Sequence, residues 1–312
     1  MNYLPPKIEF YRKRDFSEKL NVTFQFIREN WKPLVKYAIY LLLPICLIQS
    51  FVMNASISSI FELSRTNNMG SFSVFFKNYG LAILCASAGS ILLSSLIYTL
   101  MQTYEKREHR LLNVQWSDFT AQLMKNLKRS LKLLLVTTVV AILLMGFFVA
   151  LFYFLYTIYP ALIVIGVLIW LAVCICLIPL ILLLPVYILE PEITISQAIS
   201  KAWKFGISDF WSLLGFLIVV SIISSILQTI TLMPWYIVTI VKFVFAFGSD
   251  PAITQSIFYK FAVYILGIIQ SMGTYVSSII MVTGIAFQYF HSREKHEGVT
   301  IESNIINFNE LQ

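Results

Sequence analysis

Residues 161–189 decide the fold class, since they read ALIVIGVLIWLAVCICLIPLILLLPVYIL without one charged side chain. A helix needs about 20 mostly apolar residues to cross a hydrocarbon core about 30 Å thick, and this stretch exceeds that length. Five further stretches meet the same criterion. The six predicted spans are residues 34–53, 79–101, 133–156, 161–189, 211–233 and 261–287. The sequence therefore predicts an all-α integral membrane protein with six transmembrane helices.

The composition supports a membrane protein and argues against nucleic-acid binding. Hydrophobic residues make up 58% of the chain and charged residues 12%, whereas soluble domains carry about 25% charge. The net charge of +7 would suit nucleic acid, but the basic residues flank apolar runs and form no patch with interleaved aromatic residues. The four cysteines lie inside apolar runs, so no disulfide framework is expected.

The distribution of lysine and arginine predicts the orientation. Of the 23 lysines and arginines, 19 fall on one side of the six predicted spans. Basic residues are retained on the cytoplasmic side of a membrane. We therefore expect both termini in the cytoplasm and the chain in a bacterial inner membrane. We expect residues 1–290 to form a single membrane domain and residues 291–312 a cytoplasmic tail. A polar region of 33 residues precedes the first span, so we expect no cleaved signal peptide.

Residues 235–247 are apolar but too short to cross a membrane alone. We expect an interfacial or re-entrant helix on the outer side. A seventh span is the alternative, but it would move the C-terminus and its positive charges outward, against the charge distribution.

Three segments that each precede a predicted span share one pattern. A shift of 179 residues aligns the first with the third, placing Ser17 on Ser196, Glu18 on Gln197, Leu20 on Ile199, Phe24 on Trp203 and Asn30 on Asp209. A shift of 100 residues aligns the first with the second, placing Ser17 on Ser117, Glu18 on Asp118, Phe24 on Met124 and Lys32 on Lys132. The pattern predicts three repeats, each an interfacial amphipathic helix followed by a transmembrane hairpin.

The residues of each predicted repeat suit a short helix at a membrane surface. Helix N-caps are expected at Ser17, Ser117 and Ser196. Polar residues that would let the chain turn into the bilayer are Asn30, Ser130 and Asp209. In the second copy a basic face is expected to meet anionic lipid through Lys125, Lys128 and Arg129.

The third copy carries a resemblance to known proteins. Its residues are Leu189-Glu190, then SQAISKAW at 196–203 and DFWSLLG at 209–215, with a similar habit at Phe16-Ser17-Glu18 and NWKPL at 30–34. This pattern resembles a loose family of bacterial multi-pass membrane proteins of unassigned function. The family includes the membrane domain fused to some glycerophosphoryl diester phosphodiesterases. The resemblance implies a membrane fold, and without the phosphodiesterase domain it implies no hydrolase activity.

Candidate sites are few, and we predict no catalytic, cofactor-binding or metal-binding residues. Two clusters could hold a metal weakly but are read as solvated helix ends, namely Glu105, Glu108 and His109, and His291, Glu294, His296 and Glu297. Glu190-Pro191-Glu192 is interpreted either as a partner contact or as a helix stop. Pro179 and Pro185 predict a bend in the long fourth span.

Small residues indicate close helix packing, within one chain or in a homo-oligomer, at Ala82, Ala86, Ser90, Ser94, Gly273 and Ser277. The spans contain no acidic residue or arginine, and their only lysine is Lys36 near the start of the first span. We therefore predict a non-enzymatic scaffold or accessory protein of the cell envelope, whose candidate partners are membrane lipids, another protein or a second copy of the chain. The alternative is a permease for a lipid-like or apolar substrate, which would need no buried charge.

Overall fold

The computed structural model describes residues 6–66, 69–247 and 256–300. Its helices are α1 (Phe16–Thr66), α2 (Met69–Lys106), α3 (Thr120–Ile158), α4 (Ile163–Leu177), α5 (Leu183–Leu189), α6 (Ile195–Ser208), α7 (Phe210–Phe247) and α8 (Ile257–Glu297). Short 3₁₀ turns lie at Trp116–Asp118, Pro160–Leu162 and Ile178–Leu182.

The prediction of six transmembrane helices is confirmed. Six helical stretches in the described part of the chain are long and apolar enough to cross a membrane, namely Phe16–Ile60, Phe72–Lys106, Thr120–Ile158, Pro160–Leu189, Phe210–Val241 and Ile257–Glu297. Each contains one of the spans predicted from the sequence. The α-helix of the fourth span is interrupted where a bend was predicted, since the 3₁₀ turn Ile178–Leu182 separates α4 from α5 and contains Pro179.

The expectation of a separate helix at residues 235–247 is wrong. These residues continue α7 through Pro234, giving one helix of 38 residues, about 57 Å long at 1.5 Å per residue. A proline removes one backbone hydrogen bond but does not end a helix whose other bonds persist. Trp235, the next residue, is buried and donates its indole N–H to Asn54 Oδ1 at 3.4 Å, which holds this part of α7 in place.

The chain divides into two compact units. The first comprises Met1–Thr23, Met101–Ile218 and Gly284–Gln312, and the second comprises Phe24–Leu100 and Val219–Thr283. The assignment of residues 1–290 to one domain and 291–312 to a tail stays a prediction. Helix α8 continues through Glu297, and residues 301–312 lie outside the described part of the chain.

In the second unit, helices approach closely at glycines and exchange uncharged hydrogen bonds. A Cβ atom on Gly273 of α8 would lie 2.0 Å from Thr231 Oγ1 of α7, and one on Gly89 of α2 would lie 2.0 Å from Tyr275 Oη of α8. Tyr275 donates to Gln49 Oε1 of α1 at 2.7 Å. Small-residue packing is thus confirmed at Gly273. In α2 the close approach is made by Gly89. Of the predicted stripe in α2, Ala82 and Ser94 are buried, whereas Ser90 is exposed.

In the first unit, α3 and α4 form a hairpin that is almost wholly exposed. Between residues 135 and 178 only Phe148 and Gly166 are buried. A Cβ atom on Gly166 would lie 2.8 Å from the Phe152 ring, so the two helices pack on each other there. Such uniform exposure of large apolar side chains is what lipid, rather than water, can accommodate.

The first of the three aligned segments begins at a cap two residues before the predicted one. Asp15 Oδ1 accepts the backbone N–H of Glu18 at 2.8 Å, and the Glu18 carboxylate accepts the backbone N–H of Asp15 at 3.2 Å. This reciprocal pair is a capping box, which satisfies two otherwise unpaired donors of the helix end. The predicted serine caps are wrong in all three segments, at Ser17, Ser117 and Ser196.

The third segment begins with the same reciprocal pair, and the second segment begins with one of its two hydrogen bonds. Thr194 Oγ1 accepts the N–H of Gln197 at 3.4 Å, and Gln197 Oε1 accepts the N–H of Thr194 at 3.0 Å. At the start of the second segment, Asp118 Oδ2 accepts the N–H of Gln115 at 2.9 Å. The three pairs lie at the shifts of 100 and 179 residues read from the sequence.

Burial follows the same register. Four residues after each cap, the side chain is buried in all three segments, at Lys19, Phe119 and Ala198. The same is true eight residues after the cap, at Thr23, Leu123 and Ala202, and eleven residues after it, at Phe26, Asn126 and Phe205. Spacings of four and three residues mark one face of a helix, so each segment buries the same face.

The predicted breaks are present in two of the three segments. Asn30 departs from helical geometry (φ −120°, ψ 16°), and Asp209 ends α6 (φ −123°, ψ 32°). The prediction of a break at Ser130 is wrong, because α3 runs through it without interruption. Ser130 donates its hydroxyl to the Asn126 carbonyl at 2.9 Å, a bond that an uninterrupted helix accommodates.

The packing of α6 yields a stability prediction. A Cβ atom on Gly206 would lie 2.5 Å from the Cα of Pro179, and backbone cannot move aside as a side-chain tip can. We expect Gly206→Ala to destabilise the protein by about 1–3 kcal/mol, as overpacking does. The matched control is Gly146→Ala, since a Cβ atom at Gly146 meets nothing within 4 Å. Thermal unfolding in detergent measures both, and equal midpoints for the two variants would contradict the packing.

Candidate functional site

A network of ion pairs in the first unit is built around Glu190. The residue directly follows α5 and has extended backbone (φ −111°, ψ 96°), so it ends that helix. Its carboxylate accepts from Lys201 Nζ at 2.7 Å and from the Tyr289 hydroxyl at 2.8 Å. The interpretation of Glu190-Pro191-Glu192 as a helix stop is confirmed. Glu190 is largely enclosed by its partners, whereas Glu192 is exposed.

The network continues along α8 to the N-terminal segment. Glu297 pairs with Lys201 Nζ at 2.5 Å and with Arg293 Nε at 2.9 Å. Arg293 also donates to the Tyr11 hydroxyl at 3.2 Å and lies over the Tyr11 ring, 5.4 Å from its centre. Burial raises the pKa of Tyr11 to about 12, against the opposing effect of the Arg293 charge. Tyr11 therefore stays neutral at physiological pH.

An open cavity of about 630 Å³ borders this network. Its walls are formed by Leu189, Glu190, Pro191, Glu192, Ile193, Gln197, Lys201 and Arg293. A second cavity of about 360 Å³ shares Gln197 and Lys201 with it and extends along α6. Its other walls are Ser196, Ser200, Lys204, Phe205, His296 and Glu297. We call the two together the α6 groove.

Helix α6 divides its side chains into three sectors. The buried sector packs on the rest of the first unit and consists of Ala198, Ala202, Phe205 and Gly206. The polar sector lines the α6 groove. A third sector of apolar residues is exposed, at Ile199, Trp203 and Ile207, and Trp211 just beyond the helix is 81% exposed. An exposed apolar stripe with tryptophan beside a polar face is typical of a helix at a membrane surface.

Arg129 binds the carboxyl end of α5, where the chain leads into the α6 groove. Its guanidinium donates to the carbonyl oxygens of Tyr187 at 3.1 Å and Glu190 at 3.0 Å, and further to those of Pro191 and Ile193. It also lies over the Tyr187 ring at 4.2 Å. Carbonyls at a helix end lack partners within the helix, and a basic side chain can satisfy them. Arg129 thus binds carbonyl oxygens of the protein, and its contact with anionic lipid stays a prediction.

A second polar cluster surrounds Asp209. Its Oδ1 accepts from Lys295 Nζ at 2.5 Å, and its Oδ2 lies 3.8 Å from His291 Nε2. Nearby, Lys19 is only 1% exposed and donates to Gln288 Oε1 at 2.8 Å and Ser212 Oγ at 2.8 Å. Sequence reasoning missed Lys19 because a lysine in an amphipathic segment is normally exposed.

The structure separates the members of the predicted His291 cluster. His291 Nδ1 accepts the backbone N–H of Arg14 at 2.9 Å, and His296 contacts Ser208 Oγ at 2.7 Å. Glu294 accepts the backbone N–H of Thr300 at 3.0 Å. Each side chain thus serves a different local contact. Among the described residues, no group of three or more His, Cys, Asp or Glu side chains could hold a metal ion.

The connection between α2 and α3 is fixed by a surface contact. Arg107 Nη1 lies 2.6 Å from Asp118 Oδ2. The backbone N–H of Gln115, and secondarily Arg107, hold the pKa of Asp118 below its usual range. Of the other predicted cluster, Glu105 offers its backbone carbonyl to Lys7 Nζ at 2.7 Å.

Comparisons of the chain with family models, with curated proteins and with solved structures gave no match.

Neighbouring glutamates provide a test of the network. Glu190→Gln removes the charge that Lys201 and Tyr289 share, and we expect a loss of about 1–3 kcal/mol, as for hydrogen bonds to charged groups. Glu192→Gln removes the same charge from an exposed side chain, and we expect a change below about 0.5 kcal/mol. Thermal unfolding in detergent compares them. Equal destabilisation by Glu192→Gln and Glu190→Gln would contradict a stabilising role of Glu190 in the network.

Proposed function

We propose that this chain is a non-enzymatic multi-pass protein of the bacterial cytoplasmic membrane, acting as a scaffold or accessory protein in the cell envelope. Both termini would lie in the cytoplasm. The distribution of lysine and arginine supports this orientation. The network around Glu190 and the cluster around Asp209 would then lie at the cytoplasmic surface, where ionisable groups are hydrated.

We also propose that the membrane domain consists of three repeats of an interfacial helix and a transmembrane hairpin. Three observations at the same shifts support this. They are the caps at Asp15, Gln115 and Thr194, the matching buried faces, and the breaks at Asn30 and Asp209. The shared burial four, eight and eleven residues after each cap favours a repeat over a chance alignment of serines and apolar residues.

The α6 groove carries the proposed scaffold function. Small-molecule sites are mostly apolar and enclose their ligand, whereas this groove is open and lined by charges of both signs. Its wall is preorganised, because Glu190, Lys201 and Glu297 hold one another. At its edge Glu192 and Lys204 are exposed. Such an arrangement suits a polypeptide with complementary charges.

The position of α6 supports the same function. With the exposed stripe of Ile199, Trp203 and Ile207 in the membrane surface, its polar sector would face the aqueous phase. The groove would then be presented to a cytoplasmic partner or to the cytoplasmic segment of another membrane protein. No part of this function requires a reacting group.

The permease alternative stays a prediction and has its own test. In the second unit, buried polar groups serve one another across helices, as Gln228 does with Thr274 at 3.2 Å and Ser224 with the Ser277 carbonyl at 2.8 Å. Flux of a fluorescent phospholipid into proteoliposomes above that of empty vesicles would favour transport over the scaffold function.

Photo-crosslinking in growing cells tests the groove. A benzophenone amino acid at Gln197, which lines both cavities, is expected to give one polypeptide adduct that mass spectrometry can identify. The same probe at Leu112, exposed between α2 and α3, is the control and is expected to give none. Glu192→Lys should lower the adduct at least threefold, because it reverses a charge at the edge.

Two results would contradict the scaffold function. One is the absence of any polypeptide adduct at residue 197. The other is the same adducts at residues 112 and 197, which would indicate random collision.

A further inference from the structure

Three lysines near the start of α3 form a stripe on one face of the helix. Lys125, Lys128 and Lys132 are all exposed. At 100° per residue, they fall within an arc of about 60°. Among the described residues, none of the three makes a hydrogen bond or an ion pair, whereas the adjacent Arg129 is held by carbonyl oxygens. The stripe is therefore an uncompensated charge of about +3 on a helical surface.

A track of exposed apolar side chains runs beside this stripe. Met124 and Leu131 are exposed next to the lysines, and the track continues along the same side of the helix. Its further members are Leu135, Val139 and Ile142. Like the rest of the exposed α3/α4 hairpin, these side chains lie within a segment apolar enough to span a membrane. The lysines thus stand where the polar start of α3 becomes wholly apolar.

We propose that this surface binds an anionic phospholipid. The lysines would contact the phosphate of the headgroup, and an acyl chain would lie along Leu131, Leu135 and Val139. An acidic polypeptide would neutralise the three lysines but would not cover the apolar track. A phospholipid satisfies both, since it is anionic at one end and apolar along the rest.

This inference rests on the proposed function in one respect. The cytoplasmic orientation would place the stripe in the leaflet that is rich in anionic lipid. The bound lipid would then fix the depth of α3 and, through Arg129, of the chain that leads into the α6 groove. Binding measured in detergent has no sidedness, so it tests the lipid site whether or not the orientation and the partner are correct.

The experiment measures phospholipid binding to the full chain in detergent by native mass spectrometry. The probes are phosphatidylglycerol and phosphatidylcholine with the same acyl chains. The test variant is Lys125→Gln, Lys128→Gln and Lys132→Gln together. The control variant, Arg12→Gln, Lys13→Gln and Lys106→Gln, removes the same charge from other exposed positions. Unfolding midpoints within a few degrees of the unmodified protein confirm that both variants fold.

We expect the unmodified protein to prefer phosphatidylglycerol, and the test variant to lose at least tenfold in its affinity. One lysine near an anionic lipid surface raises the affinity about fivefold, so the loss of three lysines is expected to exceed a tenfold decrease. The control variant should stay within twofold. Glycerophosphoglycerol, the headgroup without acyl chains, should not compete at millimolar concentration, because it cannot use the apolar track.

Three results would overturn the proposal. Equal losses in the test and control variants would show only general attraction by positive charge. Competition by the headgroup alone would show that the apolar track has no role. Unchanged binding in the test variant would leave the lysines to a different partner, such as an acidic polypeptide.

Discussion

A charged side chain cannot be solvated in hydrocarbon, and the whole structure follows from this constraint. The ionisable residues of the apolar helices lie mainly near helix ends, where they contact one another or water. In the first unit they form two ordered groups, around Glu190 and around Asp209. In the second unit the helices use glycine contacts and uncharged hydrogen bonds, which are compatible with lipid.

Helix α6 shows how this constraint yields the surface that we propose for partner binding. Its buried sector fixes it on the 3₁₀ turn Ile178–Leu182, with Gly206 against Pro179. Its exposed apolar stripe suits a membrane surface, and its polar sector remains for the groove. Arg129 and Glu190 tie the end of α5 to α3 and α6, so the groove has a defined shape. A scaffold function needs such a preorganised surface but no reacting group.

The sequence predicts most of the fold and little of the candidate site. The spans are readable because they lack charge, and the breaks at Asn30 and Asp209 because a polar residue precedes an apolar run. Ser130 misleads, since a serine can bond to the preceding turn without ending the helix. The roles of Arg129 and Arg293 depend on carbonyl and hydroxyl groups 58 and 282 residues away, and no local pattern reveals those partners.

The proposed orientation places the charged groups of the first unit on the cytoplasmic side of the membrane. Cysteine labelling tests this orientation most directly, in a variant whose native cysteines are replaced. One single cysteine replaces Ser200 in the polar sector of α6, and another replaces Tyr159 in the turn between α3 and α4. A membrane-impermeant maleimide should label position 159 in intact cells and position 200 only after permeabilisation. Labelling of position 200 in intact cells would contradict the orientation and the function built on it.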